Sequence, residues 1–247
     1  MCRHLGYLGP PVPLSDLLFA PAHGLVEQSW APRDMRGGGT VNADGFGVGW
    51  YTADGPVRYR RHTPIWSDTT LPGLAAALRS TAMLAAVRSA TVGMPVTEAA
   101  AAPFGEGRWL FSHNGVVTGW PGSLAKLAAG LPTTDLLTLD APTDAALLWA
   151  LVRDRLRAGA DPAESVATVV TEVGRAAPGS RLNLLLTDGV TLVATAAGHA
   201  LSVRRRAADV VVASEPFDDD PGWQPVPDRT LLVATATTVT TRPLGEP

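Results

Sequence analysis

The chain has 247 residues, of which 46% are hydrophobic, and a formal net charge of −3 at neutral pH. This length can form one large domain or two small ones. The hydrophobic fraction argues against extensive disorder, and the charge gives no basic surface for nucleic acid. No apolar stretch reaches the roughly 20 uncharged residues of a membrane-spanning helix, and no apolar region of a signal peptide follows the N-terminus. We therefore expect a cytoplasmic protein without a nucleic-acid or membrane partner.

The first half of the chain predicts short strands with one helical segment. A strand over residues 2–8 should end at the glycine and prolines of residues 9–11. The remaining expected elements are a strand over 46–51 after a turn at 42–45, a helical segment over 74–78, a strand over 83–88, and a strand over 109–112 that stops at Asn114-Gly115.

The second half predicts two helices followed by strands. Thr143 and Asp144 can cap a helix that runs to about Arg157, and Asp161 with Pro162 opens a second helix that ends near residue 178. Strand-like runs then occupy residues 182–187, 191–195, 210–213 and 231–234, and an Asp-Gly turn joins the first two.

This inventory predicts an α+β fold with helices outside layered, mostly antiparallel sheets. The short basic run at Arg204, Arg205 and Arg206 is interpreted as a solvated strand end. The glycines of residues 45–49 lack the spacing of a dinucleotide-binding loop, so no nucleotide cofactor is expected.

Cys2 is the one cysteine of the chain. Once Met1 is removed, this residue carries both a thiol nucleophile and a free α-amine, whose ordinary pKa of about 7.7–8.0 lets it accept the thiol proton. A separate histidine base is then unnecessary. The five histidines are scattered and show no metal-ligand spacing, so no metal is expected. The alternative is that Cys2 is an ordinary second residue.

Three further segments carry candidate site residues. Asn114 and Gly115 can supply a side-chain and a backbone donor to a tetrahedral oxyanion, although Asn-Gly is also an ordinary turn. Arg88 lies in an apolar segment and needs a partner, either an internal carboxylate or that of a substrate. Thr91 follows in the same segment as a further substrate-binding candidate. Asp144 can cap a helix or hold a substrate ammonium group.

Taken in order, these segments resemble the class II glutamine amidotransferase family of N-terminal-nucleophile hydrolases. The resemblance rests on the opening Met-Cys-Arg-His-Leu-Gly and on residues 42–51, 88–93, 113–115 and 143–144, and it spans nearly the whole chain. Within the family, the likeness is greatest to free-standing hydrolases of a γ-glutamyl amide whose leaving group is a modified cysteine. Residues 85–97 and 213–228, with a Ser-Glu-Pro segment, contribute to it.

The resemblance implies a four-layer αββα sandwich and a single glutamine amidotransferase type-2-like domain over residues 1–247. It also implies that Cys2 is the nucleophile and that Asn114 and Gly115 form the oxyanion hole. Arg88 would bind the α-carboxylate of a γ-glutamyl substrate and Asp144 its α-ammonium. No cofactor is implied, and the oligomeric state stays open.

Two departures from the family pattern concern the leaving group. Ammonia-producing members often carry histidine two residues before the site arginine and a His-Pro pair in the following loop, where this chain has Ala86 and Ala102-Pro103. The smaller side chains leave room for an amine larger than ammonia, if these alanines line the site. The alternatives are a glutaminase subunit that supplies ammonia to a separate synthase, and an inactive scaffold.

The modified cysteine that the resemblance implies as leaving group carries a trimethylammonium cation, which would favour aromatic partners. Three of the seven tryptophans lie in loop-like segments beside proline or glycine, and acidic residues precede the last of them. We predict that at least one of these tryptophans, Trp66, Trp120 or Trp223, lines the leaving-group side of the site.

Overall fold

The computed structural model describes residues 2–35 and 41–246. Its strands are β1 (Arg3–Pro13), β2 (Phe46–Thr52), β3 (Gly55–Arg61), β4 (Arg79–Val87), β5 (Phe104–Glu106), β6 (Trp109–Val116), β7 (Arg181–Thr187), β8 (Leu192–Ala196), β9 (Ser202–Arg205), β10 (Val210–Ala213), β11 (Trp223–Pro225), β12 (Thr230–Ala234) and β13 (Val239–Pro243). Its α-helices are α1 (Ser15–Leu18), α2 (Leu25–Gln28), α3 (Leu71–Ala77), α4 (Ala125–Ala128), α5 (Thr133–Leu137), α6 (Asp144–Arg157) and α7 (Pro162–Ala176).

The strands form two sheets. The first has the order β11-β9-β10-β1-β4-β2-β3, and the second has the order β13-β12-β8-β7-β6-β5. The neighbouring strands run antiparallel in both sheets. The strand that follows Cys2 is therefore central in the first sheet, while β6, which carries Asn114 and Gly115, belongs to the second.

The hydrophobic core lies in layers that define the architecture. One cluster joins the first sheet to α1, α2 and α3, and a second joins the second sheet to α6 and α7. A third cluster, with Leu8 and Leu84 from the first sheet and Leu110 and Leu185 from the second, fills the space between the sheets. The order of layers is helix, sheet, sheet, helix. The expected αββα sandwich is confirmed.

Strand alternation decides which side chains face the layer between the sheets. In β4, Leu84 belongs to the inter-sheet cluster, while its neighbours Met83 and Ala85 pack towards the helices. Because successive side chains point to opposite faces, the even-numbered residues of β4, and those of β1 up to Leu8, face the second sheet. The same alternation holds in β6, where Leu110 faces the first sheet and Phe111 faces the helices.

Two predicted strand ends are wrong. Strand β1 does not stop at residues 9–11 but continues to Pro13, because its pairing with β4 shifts register between Leu8 and Val12 and then resumes. Strand β6 does not stop at Asn114-Gly115 but runs to Val116, with Asn114 paired to Asn183 of β7. The Asn-Gly pair therefore lies inside a strand and is not a turn.

The two long helices confirm their predicted caps. Thr143 accepts a hydrogen bond from the backbone N–H of Ala146 at the start of α6, and Asp161 accepts from the N–H groups of Ala163 and Glu164 at the start of α7. These bonds satisfy backbone donors that a helix start otherwise leaves unpaired. Within the described residues, no helix is long and apolar enough to cross a membrane.

Several strands were not predicted, among them β3, β5, β9, β11 and β13. The basic run at the end of β9 is only partly solvated. Arg204 is buried and forms an ion pair with Asp218 at 2.6 Å, whereas Arg205 and Arg206 are exposed. The interpretation as a solvated strand end is therefore wrong for Arg204, which lies within reach of the rings of Phe217 and Trp223.

Candidate active site

A pocket with about 510 Å³ of empty space opens beside Cys2. Of the six candidate site residues, five line it: Cys2, Arg88, Thr91, Gly115 and Asp144. Ala86 and Ala102, at the two positions where the chain departs from the family pattern, line it as well. We call this cavity the Cys2 pocket.

Cys2 is partly exposed in the pocket and precedes the central strand of the first sheet. Its thiol donates a long hydrogen bond of 3.8 Å to the carbonyl oxygen of Ser89. Its own carbonyl oxygen accepts from Nη1 of Arg3 at 3.1 Å. The backbone of Cys2 is thus held while the sulfur remains accessible. Met1 lies outside the described residues.

Arg3 is part of a buried polar cluster behind Cys2. Its guanidinium also donates to the backbone oxygen of Asp34 and pairs with Glu215 at 3.9 Å. Burial lowers the pKa of Arg3, and the charge of Glu215 opposes that shift. Glu215 further accepts from the imidazole of His23 and from the backbone N–H groups of Arg33 and Asp34. This cluster ties the segment before residue 36 to the start of β1.

Arg88 follows β4 and lies on the pocket wall, 9% exposed. Its backbone is held by hydrogen bonds with Gly45 and Asp44. Nη1 donates to the carbonyl oxygen of Pro95 at 2.8 Å, while Nη2 is buried without a hydrogen-bond partner in the described part of the chain. A buried, unsatisfied guanidinium nitrogen carries a free-energy cost that a ligand carboxylate would remove.

Asp144 begins helix α6 and lines the pocket with 6% of its surface exposed. Its carboxylate oxygens accept from the backbone N–H of Val117 at 3.0 Å and of Ala145 at 2.7 Å. Both oxygens lie at the N-terminal, positive end of the α6 helix dipole. Each oxygen has a lone pair left for a ligand cation. Thr91 lines the same pocket, in the loop after Arg88.

Asn114 is 1% exposed and does not appear among the residues that line the pocket, although its neighbours His113 and Gly115 do. Its Nδ2 donates to Oγ of Ser214 at 3.0 Å, and its Oδ1 is buried without a partner among residues 2–35 and 41–246. Gly115 has no room for a side chain, because a Cβ there would lie 1.9 Å from the carbonyl oxygen of Arg181. Glycine lets β6 pass close to β7 beside the pocket.

Two buried histidines near the site are neutral. Burial lowers the pKa of His4 to about 3, with smaller contributions from His113, His199 and Arg3. Burial and the nearby Arg181 lower the pKa of His199 to about 4. Neither histidine lines the Cys2 pocket as described. In the described ranges, no group of three or more His, Cys, Asp or Glu side chains could hold a metal ion.

The tryptophan prediction is not met in the Cys2 pocket, because its described lining contains no indole. Trp66 packs edge-on against Trp30, and the Nε1 of Trp223 donates to Asp218. Trp120 lines a second cleft, which shares Thr91 and Met94 with the Cys2 pocket. Trp120 therefore lies on the wall of the adjoining cleft and does not line the Cys2 pocket.

Sequence reasoning assigned no role to Ser214 and Glu215, although the Ser-Glu-Pro segment was part of the family resemblance. Both side chains are buried at the end of β10 and bond to residues next to the nucleophile. A Ser-Glu pair that directly follows an apolar strand was the available signal, since buried polar groups need partners.

Comparisons with known proteins agree with this geometry. The family model of the class-II glutamine amidotransferases matches residues 26–209. The chain is 45% identical over 240 residues to the gamma-glutamyl-hercynylcysteine sulfoxide hydrolase of Mycobacterium tuberculosis. The aligned region covers 97% of this chain and 95% of that protein. Among solved structures, a glutamine aminotransferase class-II domain protein from Silicibacter pomeroyi matches with a TM-score of 0.72 and 25% identity, covering 100% of both chains.

A more distant structure shows the fold alone. The glutamine phosphoribosylpyrophosphate amidotransferase of B. subtilis matches with a TM-score of 0.69 and 13% identity, covering 99% of this chain and 49% of that one. The fold and the N-terminal cysteine define an amide hydrolase of the N-terminal-nucleophile class. Within that class, the chain belongs to the class-II glutamine amidotransferase family.

Proposed function

We propose that the protein removes the γ-glutamyl group from γ-glutamyl hercynylcysteine sulfoxide, a step of ergothioneine biosynthesis, and releases glutamate and hercynylcysteine sulfoxide. The observation that carries the proposal is the composition of the Cys2 pocket. The pocket contains a thiol, a carboxylate and an arginine whose Nη2 has no partner within the described residues. It also contains two alanines at positions where the family resemblance leads us to expect histidine in ammonia-producing members. The similarity to the mycobacterial hydrolase supports the same substrate.

The glutamyl end of the substrate is held by charge. Nη2 of Arg88 binds the α-carboxylate, which supplies the partner that this buried nitrogen lacks within the described residues. The carboxylate of Asp144 accepts the α-ammonium, and the hydroxyl of Thr91 adds a polar contact on the same wall. With both charged groups of the glutamyl moiety fixed, its γ-carbonyl is directed towards Cys2.

The chemistry begins with the α-amine that Met1 removal frees. This amine takes the proton of the Cys2 thiol, and the thiolate attacks the γ-carbonyl carbon. Nδ2 of Asn114 and the N–H of Gly115 stabilise the negative oxygen of the tetrahedral intermediate. The amide C–N bond then breaks, and the departing amine takes the proton. Water attacks the resulting γ-glutamyl thioester, glutamate leaves, and the thiol regains its proton.

The leaving group occupies the side of the pocket bounded by Ala86 and Ala102. The adjoining cleft, which meets the Cys2 pocket at Thr91 and Met94, has Trp120 on its wall. The trimethylammonium of the leaving group is a permanent cation, which an aromatic face can bind. Such a cation–π contact contributes about 0.5–2 kcal/mol depending on desolvation.

We further propose that residues 1–247 form one domain that acts in the cytoplasm, where a free catalytic thiol stays reduced.

The alternative is a glutaminase subunit that supplies ammonia to a synthase, which the family membership itself favours. The two functions are separated by measuring glutamate release from γ-glutamyl hercynylcysteine sulfoxide and from L-glutamine with the same purified enzyme. We expect kcat/KM to be higher for the larger substrate by at least one order of magnitude. Preference for glutamine by the same margin would reject the proposal.

A size series at residue 86 tests the role of the alanines. Ala86 is buried on β4 and faces the layer between the sheets. Replacing it with histidine should cost the larger substrate ~1–3 kcal/mol of binding, the range that a small steric change in a substrate pocket produces, while glutamine hydrolysis falls less. Ala86→Ser is the matched control, since it adds one atom and should preserve the substrate preference. Equal losses on both substrates would show that Ala86 does not bound the leaving group.

A further inference from the structure

Ser214 occupies a position that links the nucleophile strand to the proposed oxyanion donor. It directly follows β10, where Val210 and Val212 face the inter-sheet layer, so alternation turns the Ser214 side chain to the same side. Asn114 faces this layer from β6 in the second sheet. Ser214 is 2% exposed and Asn114 is 1% exposed, so their contact is shielded from water.

The hydroxyl of Ser214 is bonded on one side to the backbone of His4, two residues after the nucleophile. Its Oγ accepts from the N–H of His4 at 3.0 Å and donates to the carbonyl oxygen of His4 at 3.3 Å. The same carbonyl accepts from the backbone N–H of Ser214 at 2.9 Å. These three bonds fix the hydroxyl relative to the start of β1.

These bonds leave one lone pair of the Ser214 hydroxyl without a partner, and only a hydrogen-bond donor can fill it. A hydroxyl has one proton and two acceptor lone pairs. The proton and one lone pair are used by His4, so the remaining lone pair can be filled only by a donor. Nδ2 of Asn114 fills it at 3.0 Å. The carboxamide is thereby held with its nitrogen towards Ser214, and a second Nδ2 proton remains for another acceptor.

We propose that Ser214 is a positioning residue for the oxyanion hole, which orients the Asn114 carboxamide and fixes it relative to Cys2 through the backbone of His4. The inference rests on the proposed function, since it concerns the oxyanion role of Asn114. Without the Ser214 hydroxyl, the carboxamide can rotate and present Oδ1, which would repel the developing negative charge. An oxyanion donor acts through preorganised geometry, so this rotation lowers kcat and leaves ground-state binding intact.

The test is a double-mutant cycle on kcat with γ-glutamyl p-nitroanilide, which reports amide cleavage whatever the natural leaving group is. We expect Ser214→Ala to lower kcat by about 10–10²-fold, below the roughly 10²–10³-fold loss of an oxyanion donor, with KM little changed. In an Asn114→Ala background the same substitution should change kcat less than about 2-fold, because the group through which it acts is gone. Multiplying effects would overturn the inference.

Ser112→Ala is the matched control. Ser112 is fully buried in the same layer and bonds Nδ1 of His4 at 2.8 Å, with no hydrogen bond to Asn114. This variant should lose a similar amount of thermal stability while kcat stays within about 3-fold of wild type, because the hydrogen bond that it removes stabilises the layer but holds His4 and not Asn114. An equal kcat loss in Ser112→Ala would assign the Ser214 effect to general loosening of this layer.

Ser214→Cys keeps the shape of the side chain with a somewhat larger atom and supplies only a weak acceptor, so it tests the proposal if the alanine variant fails to fold. We expect it to lower kcat as alanine does, and wild-type kcat in this variant would also overturn the inference. The outcomes separate the two proposals. Wild-type kcat in Asn114→Ala refutes the oxyanion assignment itself, whereas a large loss there with multiplying effects refutes only the role of Ser214.

Discussion

The neutral state of His199 gives a pH dependence of stability that can be measured. His199 is 4% exposed, and its Nε2 accepts a hydrogen bond from Nε of Arg181 at 3.1 Å. A nitrogen that accepts this bond carries no proton, and a protonated ring would bring two cations together. Burial and Arg181 together lower the pKa of His199 from 6.5 to about 4.

The sign and size of the effect follow from linkage. Between pH 6.5 and pH 4 the unfolded chain holds a proton on His199 that the folded chain does not, so stability falls as the pH falls through this window. For pKa values of about 4 folded and 6.5 unfolded, lowering the pH from 7.5 to 5.0 costs about 2 kcal/mol. Below pH 4 both states are protonated, and His199 adds no further loss.

The assay is urea unfolding followed by tryptophan fluorescence at pH 7.5 and pH 5.0. His199→Gln offers a neutral acceptor near the position of Nε2 and cannot be protonated, so its stability should fall about 2 kcal/mol less than that of the wild type between these two pH values. His62→Asn, at an exposed site, is the control and should keep the wild-type dependence. If His199→Gln keeps that dependence too, the histidine is not held neutral and the reasoning is refuted.

Four predictions concern the site. Protein that retains Met1 should be inactive, because an amide-linked Cys2 lacks its base; intact mass measured alongside activity decides this, and full activity with Met1 retained contradicts the mechanism. Arg88→Lys should lower kcat/KM strongly, since lysine lacks a planar fork, and wild-type enzyme should hydrolyse substrates without the α-carboxylate poorly. Asn114→Ala should lower kcat by roughly 10²–10³-fold, and a change confined to KM would count against its role. Gly115→Ala should destabilise the fold, measured as a lower Tm, because its Cβ would meet the Arg181 carbonyl.

The sequence predicted the layers well because local rules govern them. The caps of α6 and α7 depend on neighbouring residues, and the apolar face of each helix recurs at a period that is visible in one chain. The antiparallel strands around the Asp188-Gly189 turn are likewise local, and Gly189 takes the positive φ that such a turn requires.

The sequence failed where a long-range contact overrides a local preference. Asn114-Gly115 has the composition of a turn, but β7 pairs with both residues and extends the strand through them. The prolines after Leu8 predict a strand end, yet a register shift lets β1 continue. Arg204 lies in an exposed-looking basic run, and only the distant Asp218 explains why it is buried. Propensity cannot foresee a partner supplied by another element.

The candidate site likewise contains residues that the sequence identifies and residues that only the structure identifies, and the difference follows from their chemistry. The residues that we propose to contact the substrate carry reactive or charged groups, so Cys2, Arg88 and Asp144 stand out from the apolar segments around them in the sequence. Residues that hold those groups in place are ordinary serines and glutamates, and their role depends on facing one layer from two sheets. Ser214 is remote from Asn114 along the chain, and strand alternation in two separate sheets brings the two side chains together at 3.0 Å. A hydroxyl becomes a positioning group only through that convergence, so its role follows from the folded structure and not from its identity.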